Sequence, residues 1–203
     1  MGAFRGSFDP LTEAHIGVIA EARKYKLGEI LLVLDIVNID KSTFGASLED
    51  RLLMLLLFFA GDEGISIALS SHGLFLDKVR ALQGKYPPAT GIVYLVGYDT
   101  IVRILDKKYY RDREAALTEL FADSEFLVAG RSGAEEQAVA DLLEREENRR
   151  FGQKIKAIKI TPFASTISAT EVRQRTEKGE PITGLVPAAI ARLIEQLQLY
   201  KEI

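Results

Sequence analysis

The runs Ile30-Leu-Leu-Val-Leu34 and Ile92-Val-Tyr-Leu-Val96 constrain this chain more than any other feature. Each puts apolar side chains on both faces of an extended strand, so both faces need a covering layer. A parallel sheet with helices on its two sides supplies such layers, and the rest of the sequence alternates as that sheet requires. Residues 3–5 read as the end of a first strand. Thr12 reads as the N-cap of a helix reaching about Lys26, with Ile16, Ile19 and Ala20 as its apolar stripe and Gly28 as its stop. A polar loop over 38–41 follows the second strand, and Ser47-Leu-Glu-Asp50 opens a helix over 48–60 in the manner of a capping box. Residues 65–69 read as a strand, 74–86 as a helix ended by Pro87-Pro88, and 126–129 as a fifth strand. A charged helix over 135–149 precedes an edge strand at 155–160, where apolar and basic residues alternate. Two last helices begin near Ala169 and Pro187.

Strands and helices in this alternation imply βαβ units. The expected fold is α/β: a Rossmann-like, doubly wound parallel sheet with helices on both faces, in one domain over 1–203. In such sheets ligands sit beyond the carboxyl ends of the strands, where the winding reverses. With the order 3-2-1-4-5, the first and fourth strands flank that point. Their ends, Gly6–Asp9 and Gly97–Thr100, are the most glycine-marked turns among the strand ends.

Composition narrows the function. A net charge of −3 offers no basic excess for broad nucleic-acid binding. The absence of cysteine excludes disulfides, cysteine-ligated zinc and a thiol nucleophile. With only His15 and His72, no multi-histidine metal site is expected. The longest apolar run, 52–60, is too short for a membrane span and reads as a buried helix. No signal-peptide pattern opens the chain, so a cytoplasmic protein without a membrane partner is expected, and association into a homo-oligomer is left open. No GxxxxGK[ST], GxGxxG after a strand, HExxH or GxSxG occurs, which disfavours a P-loop kinase, a dinucleotide oxidoreductase, a zinc protease and an α/β-hydrolase.

Three constellations remain. Gly6-Ser7-Phe8-Asp9-Pro10-Leu11-Thr12-Glu13-Ala14-His15 is a small-residue turn opening a helix, where backbone N–H groups and the helix N-terminus favour a phosphate. A lone helical histidine is more often a surface residue than a catalytic one; its place one turn into this helix favours a phosphoryl contact. Thr166-Ile-Ser-Ala-Thr-Glu-Val-Arg173 contains a capping box, Ser168 with Glu171, which explains both residues without a ligand. The alternative makes the same helix start an anion site with Arg173. Asp99, after the fourth strand, is equally readable as a helix N-cap and as an acceptor for two ribose hydroxyls.

GSFDPLTEAH resembles the GxFDPxxxGH element of the nucleotidylyltransferase superfamily, with Ala14 in place of the usual glycine. ISATEVR resembles the ISxTxIR signature of nicotinamide and nicotinate mononucleotide adenylyltransferases, and Leu185-Val-Pro187 is also similar to that family. The resemblance implies catalytic roles for His15, Lys41 and Arg173. It also implies ATP contacts from Gly6, Ser7, Phe8, Thr12, Gly97, Asp99, Arg131, Ile167, Ser168 and Thr170, with Arg51 matching an arginine on the second helix. The helices over 169–203 would close the ATP site. ATP is then a substrate, Mg2+ accompanies it, the partners are small nucleotides, and no metal-ligating side chain is expected. The implied reaction joins AMP to nicotinamide or nicotinate mononucleotide and releases pyrophosphate. Phosphopantetheine, FMN, a phospho-alcohol with CTP, or a non-catalytic nucleotide binder or weak ATPase stay as alternatives, since residues 104–110 resemble a less characterised branch.

Overall fold

The computed structural model describes residues 1–36, 45–71, 75–87, 90–130 and 133–201. Its elements run β1 (Gly2–Gly6), α1 (Glu13–Arg23), β2 (Ile30–Asp35), α2 (Leu48–Phe58), β3 (Ile65–Ser70), α3 (Phe75–Gln83), β4 (Ile92–Gly97) and α4 (Tyr98–Leu105). They continue with α5 (Arg113–Ala122), β5 (Ser124–Gly130), α6 (Gly133–Glu144), β6 (Ile155–Lys159), α7 (Pro162–Thr166), α8 (Ala169–Glu177) and α9 (Ala188–Gln196). The six strands form one sheet, β3-β2-β1-β4-β5-β6, parallel throughout. From β1 the chain winds outward to β3, then crosses back to β4 and winds the other way. The reversal therefore falls between β1 and β4, as the sequence pattern predicts.

Side-chain alternation along the strands splits the core into two layers. Phe4, Leu32 and Leu34 pack with Val18, Ile19, Met54, Leu55, Val172 and Ile190 on one side of the sheet. Ala3, Tyr94, Val96 and Phe126 pack with Val79, Ile101, Leu117 and Val139 on the other. All six residues of β2 are buried, which is why that run tolerates no polar residue before Asp35. The pattern of β6, buried only at Ile155 and Ile158, is that of the expected wet edge strand.

Several local expectations need correction. Helix α1 ends at Arg23, and the chain reverses through Lys26 in the left-handed region (φ 53°) rather than stopping at Gly28. The apolar run on α2 is one-sided: Arg51, Met54 and Leu55 are buried, whereas Leu53, Leu56 and Leu57 are 43%, 54% and 45% exposed. Helix α6 stops at Glu144 instead of reaching Arg149. Buried Asn148 enforces that stop, because its amide donates to Leu142 O at 2.8 Å and its carbonyl accepts from Arg113. Helix α4 forms where the N-cap reading of Asp99 allows a helix, and α5 occupies a stretch for which no element is expected. Ile101, Ile104 and Leu105 bury one side of α4, and Asp112 caps α5 by accepting from Ala115 N–H at 3.0 Å. Among the described residues no helix is long and apolar enough to cross a membrane.

Candidate active site

Phe4 of β1 lies opposite Leu95 of β4, and the two parallel strands run on to end at Gly6 and Gly97 on the same edge of the sheet, at the switch point. The loop that leaves β1 is tightly held. Phe8 is fully buried, stacks edge-on against Phe4 at 5.5 Å, and takes a left-handed backbone (φ 46°). A bulky residue holds that conformation only when its surroundings impose it. Gly6 is part of the imposition: a Cβ there would meet the Phe8 ring at 3.1–3.3 Å.

Two buried arginines grip the loop's carbonyls. Arg51 Nη1 donates to Ser7 O and to Asp35 O, both at 3.1 Å. Arg173 Nη1 donates to Asp9 O at 2.5 Å, and its Nη2 to Thr170 Oγ1 at 3.3 Å. The C=O and N–H of a trans peptide point opposite ways, so binding Ser7 O to Arg51 turns the Phe8 N–H away from that guanidinium. Asp9 itself is buried; its Oδ1 accepts from Ala46 N–H at 3.0 Å and from Tyr200 Oη at 2.8 Å.

Thr12 caps α1 as expected, but its partner is the histidine. The two residues close a reciprocal capping box in which His15 takes the place usually filled by Glu or Gln. Thr12 N–H donates to His15 Nδ1 at 3.0 Å, and Thr12 Oγ1 stands 2.8 Å from the same nitrogen. Only an unprotonated Nδ1 accepts from a backbone N–H. The ring is therefore assigned as the neutral tautomer with its proton on Nε2. Phe8 and Phe4 flank the imidazole at 5.1 and 6.0 Å between ring centroids. Burial pushes the neighbouring Glu13 carboxyl above its ordinary range, and Glu13 N–H donates to Leu185 O at 3.0 Å.

At the other motif, Ser168 Oγ accepts from Glu171 N–H at 3.1 Å, so the capping half of the box is present. Glu171 does not complete it; its carboxylate accepts from Arg175 at 2.9 Å. Ile167 is buried, Thr170 is exposed, and Arg173 reaches across to Asp9, which brings the two motifs into one cluster. Arg173 is thus turned onto the loop itself. The N-cap of α4 is Gly97, not Asp99, which stands exposed in the first turn. Lys41, Arg131 and His72 lie outside the described residues.

The sequence profile of the cytidylyltransferase-like family matches residues 3–175. The chain belongs to that family. Among cytidylyltransferase-like proteins it is 32% identical, over 96% of its own length and 84% of the relative's, to a Schizosaccharomyces pombe protein named nicotinamide mononucleotide adenylyltransferase. It is 27% identical, over 99% of its length and 98% of the relative's, to a Bordetella avium protein named nicotinate-nucleotide adenylyltransferase. Its fold matches that of Plasmodium falciparum nicotinic acid mononucleotide adenylyltransferase complexed with NaAD, with a TM-score of 0.70, 20% identity, and coverage of 98% and 96% of the two chains. Within this cytidylyltransferase-like frame, two residues at the site escape sequence reasoning. Asp9 carries a local signal, an acidic residue between a bulky aromatic and a proline. Tyr200 carries none.

Proposed function

We propose that the chain is an adenylyltransferase that joins the AMP of ATP to nicotinate or nicotinamide mononucleotide and releases pyrophosphate. The names of the relatives support the reaction class and the acceptor. The observation that carries the reading is the His15 capping box, which sets a neutral imidazole with an Nε2–H donor one turn into a helix at the switch point.

In this reading a phosphate oxygen of the acceptor attacks the α-phosphorus of ATP, and the bond from that phosphorus to the pyrophosphate oxygen breaks. A phosphate monoester is already ionised near neutral pH, so no strong base is required. Catalysis reduces to positioning and to stabilising charge on the phosphoryl oxygens. His15 Nε2–H is the candidate donor to the transferring phosphoryl group, and the Phe8 N–H, turned away from Arg51, is a second. Lys41, Arg131, Ser168 and Thr170 are proposed ATP contacts, with Asp99 and Gly97 at the ribose. Arg173 acts from beneath the loop, holding Asp9 O, and Thr12 holds the histidine. Among the described residues no group of three or more His, Cys, Asp or Glu side chains is placed to hold a metal ion. Mg2+ would come with the triphosphate, held by substrate oxygens and water rather than by a carboxylate cage, and would supply charge neutralisation. The substrates are small soluble nucleotides, in keeping with a cytoplasmic enzyme.

The test is pyrophosphate release with ATP and Mg2+ against nicotinate and nicotinamide mononucleotides, phosphopantetheine and FMN. Release with a pyridine mononucleotide is expected. His15→Ala should lower its rate by about 10²–10³, the loss of a single preorganised donor. Silence with both pyridine mononucleotides would overturn the acceptor assignment.

A further inference from the structure

The nucleotide loop is held by the far end of the chain. Asp9 and Tyr200 are separated by 191 residues, yet Tyr200 Oη donates to Asp9 Oδ1 at 2.8 Å. The two residues are 5% and 6% exposed. Oδ1 is also the oxygen that receives Ala46 N–H, at the entry to α2. On the other side of the carboxylate, Oδ2 stands 3.8 Å from Arg173 Nη1, which donates to the main-chain oxygen of Asp9. The Gly45 backbone passes so close to Oδ2 that a Cβ there would collide with it. Four segments therefore meet at one buried carboxylate: the loop after β1, the entry to α2, the middle of α8 and the turn after α9.

That last turn is shaped for the purpose. After α9 ends, Leu199 N–H donates back to Ile194 O at 3.0 Å, and both Gln198 (φ 52°) and Tyr200 (φ 61°) adopt left-handed backbone. Two non-glycine residues in that region within three positions persist only where their surroundings over-determine them. Burial, reinforced by the Asp9 charge, pushes the Tyr200 hydroxyl well above the ordinary phenol range, so it remains a donor across working pH.

We infer that Tyr200 is a positioning residue for ATP: acting through Asp9, it fixes the peptides of residues 6–9, so the C-terminal turn of the chain sets nucleotide affinity. The inference rests on the adenylyltransferase reading for the identity of the nucleotide. A carboxylate held by one donor fewer lets the Ser7–Asp9 peptides shift, and a binding loop loses affinity when its N–H groups are no longer preorganised.

The variant is Tyr200→Phe, which keeps the ring and removes the hydroxyl, with Tyr25→Phe, an exposed tyrosine, as the control. ATP affinity is measured by calorimetry in Mg2+, beside a thermal melt and amide exchange. Loss of one hydrogen bond to a charged group corresponds to about a tenfold weaker ATP affinity if it is transmitted in full. KM for ATP should rise in step while KM for the acceptor holds, and faster exchange should be confined to peptides covering residues 6–12 and 45–48. Tyr200→Phe binding ATP as tightly as wild type overturns the inference. So does a rise in both substrates' KM with a fall in kcat, all tracking a lowered melting temperature. Wild-type protein that binds no ATP overturns the adenylyltransferase reading, and this inference with it.

Discussion

His15 shows how one side chain can serve fold and chemistry together. As the N3 partner of Thr12 it completes a helix cap, and that cap decides which ring nitrogen carries the proton. Thr12 as an N-cap and Ser168 with Glu171 are legible in the sequence because cap and partner lie three residues apart. The part of His15 in the first cap departs from the usual Glu or Gln and is not read there. The Asp9–Tyr200 contact is not, since nothing local to either residue reports a partner at the other terminus. Tyr94 is a residue-scale oddity of the opposite kind. Its hydroxyl is buried with no hydrogen-bond partner among the described residues, its ring is packed against Phe75 and Phe126, and burial pushes its ionisation up. The ring contributes packing while the hydroxyl contributes only desolvation cost. Tyr94→Phe should therefore stabilise the fold by about 1 kcal/mol and raise the melting temperature by about 2–4 °C, measured by calorimetry. A lower melting temperature would show that the hydroxyl has a partner.

At the scale of elements, α2 separates hydrophobicity from burial. Its sequence is apolar all round from Leu52 onward, and sequence pattern reads such a run as enclosed. The fold presents it to the core by one side only, through residues 51, 54, 55 and 58, where it meets Leu32 and Leu34 of β2 and packs against α9, and Leu53, Leu56 and Leu57 are left exposed. Leu55→Ala should cost about 2–5 kcal/mol, whereas Leu56→Gln should fall within about 0.5 kcal/mol of wild type, both read from urea unfolding. Equal costs would contradict the sidedness. Helices α4 and α5 teach the converse. Their caps, Gly97 and Asp112, and their buried triplets at helical spacing are ordinary signals, masked in the sequence by the charged and aromatic stretch between them. That stretch, 104–110, is knitted by local bonds: Asp106 accepts from Lys108 N–H at 3.0 Å and Tyr110 Oη donates to Ile104 O at 2.7 Å.

For the whole molecule, the sheet order points to the candidate site before any side chain does. Two apolar runs imply a parallel sheet, the parallel sheet implies a switch point, and the loops after Gly6 and Gly97 leave the two strands that flank it. The site's assembly is a property of the closed chain rather than of either motif. Arg173 ties residues 167–173 to the loop after β1, Leu185 O receives the first N–H of α1, and Tyr200 closes the cluster from the C-terminus. Such convergence depends on tertiary distances that no local pattern encodes. The proposed reaction directs attack at the α-phosphorus of ATP. It is tested most directly by following ATP labelled at that phosphorus in the presence of nicotinate or nicotinamide mononucleotide. The label should pass into a dinucleotide while the β- and γ-phosphates leave together as pyrophosphate. Label appearing in ADP, with orthophosphate as the co-product, would contradict the account and make the protein a γ-phosphate hydrolase.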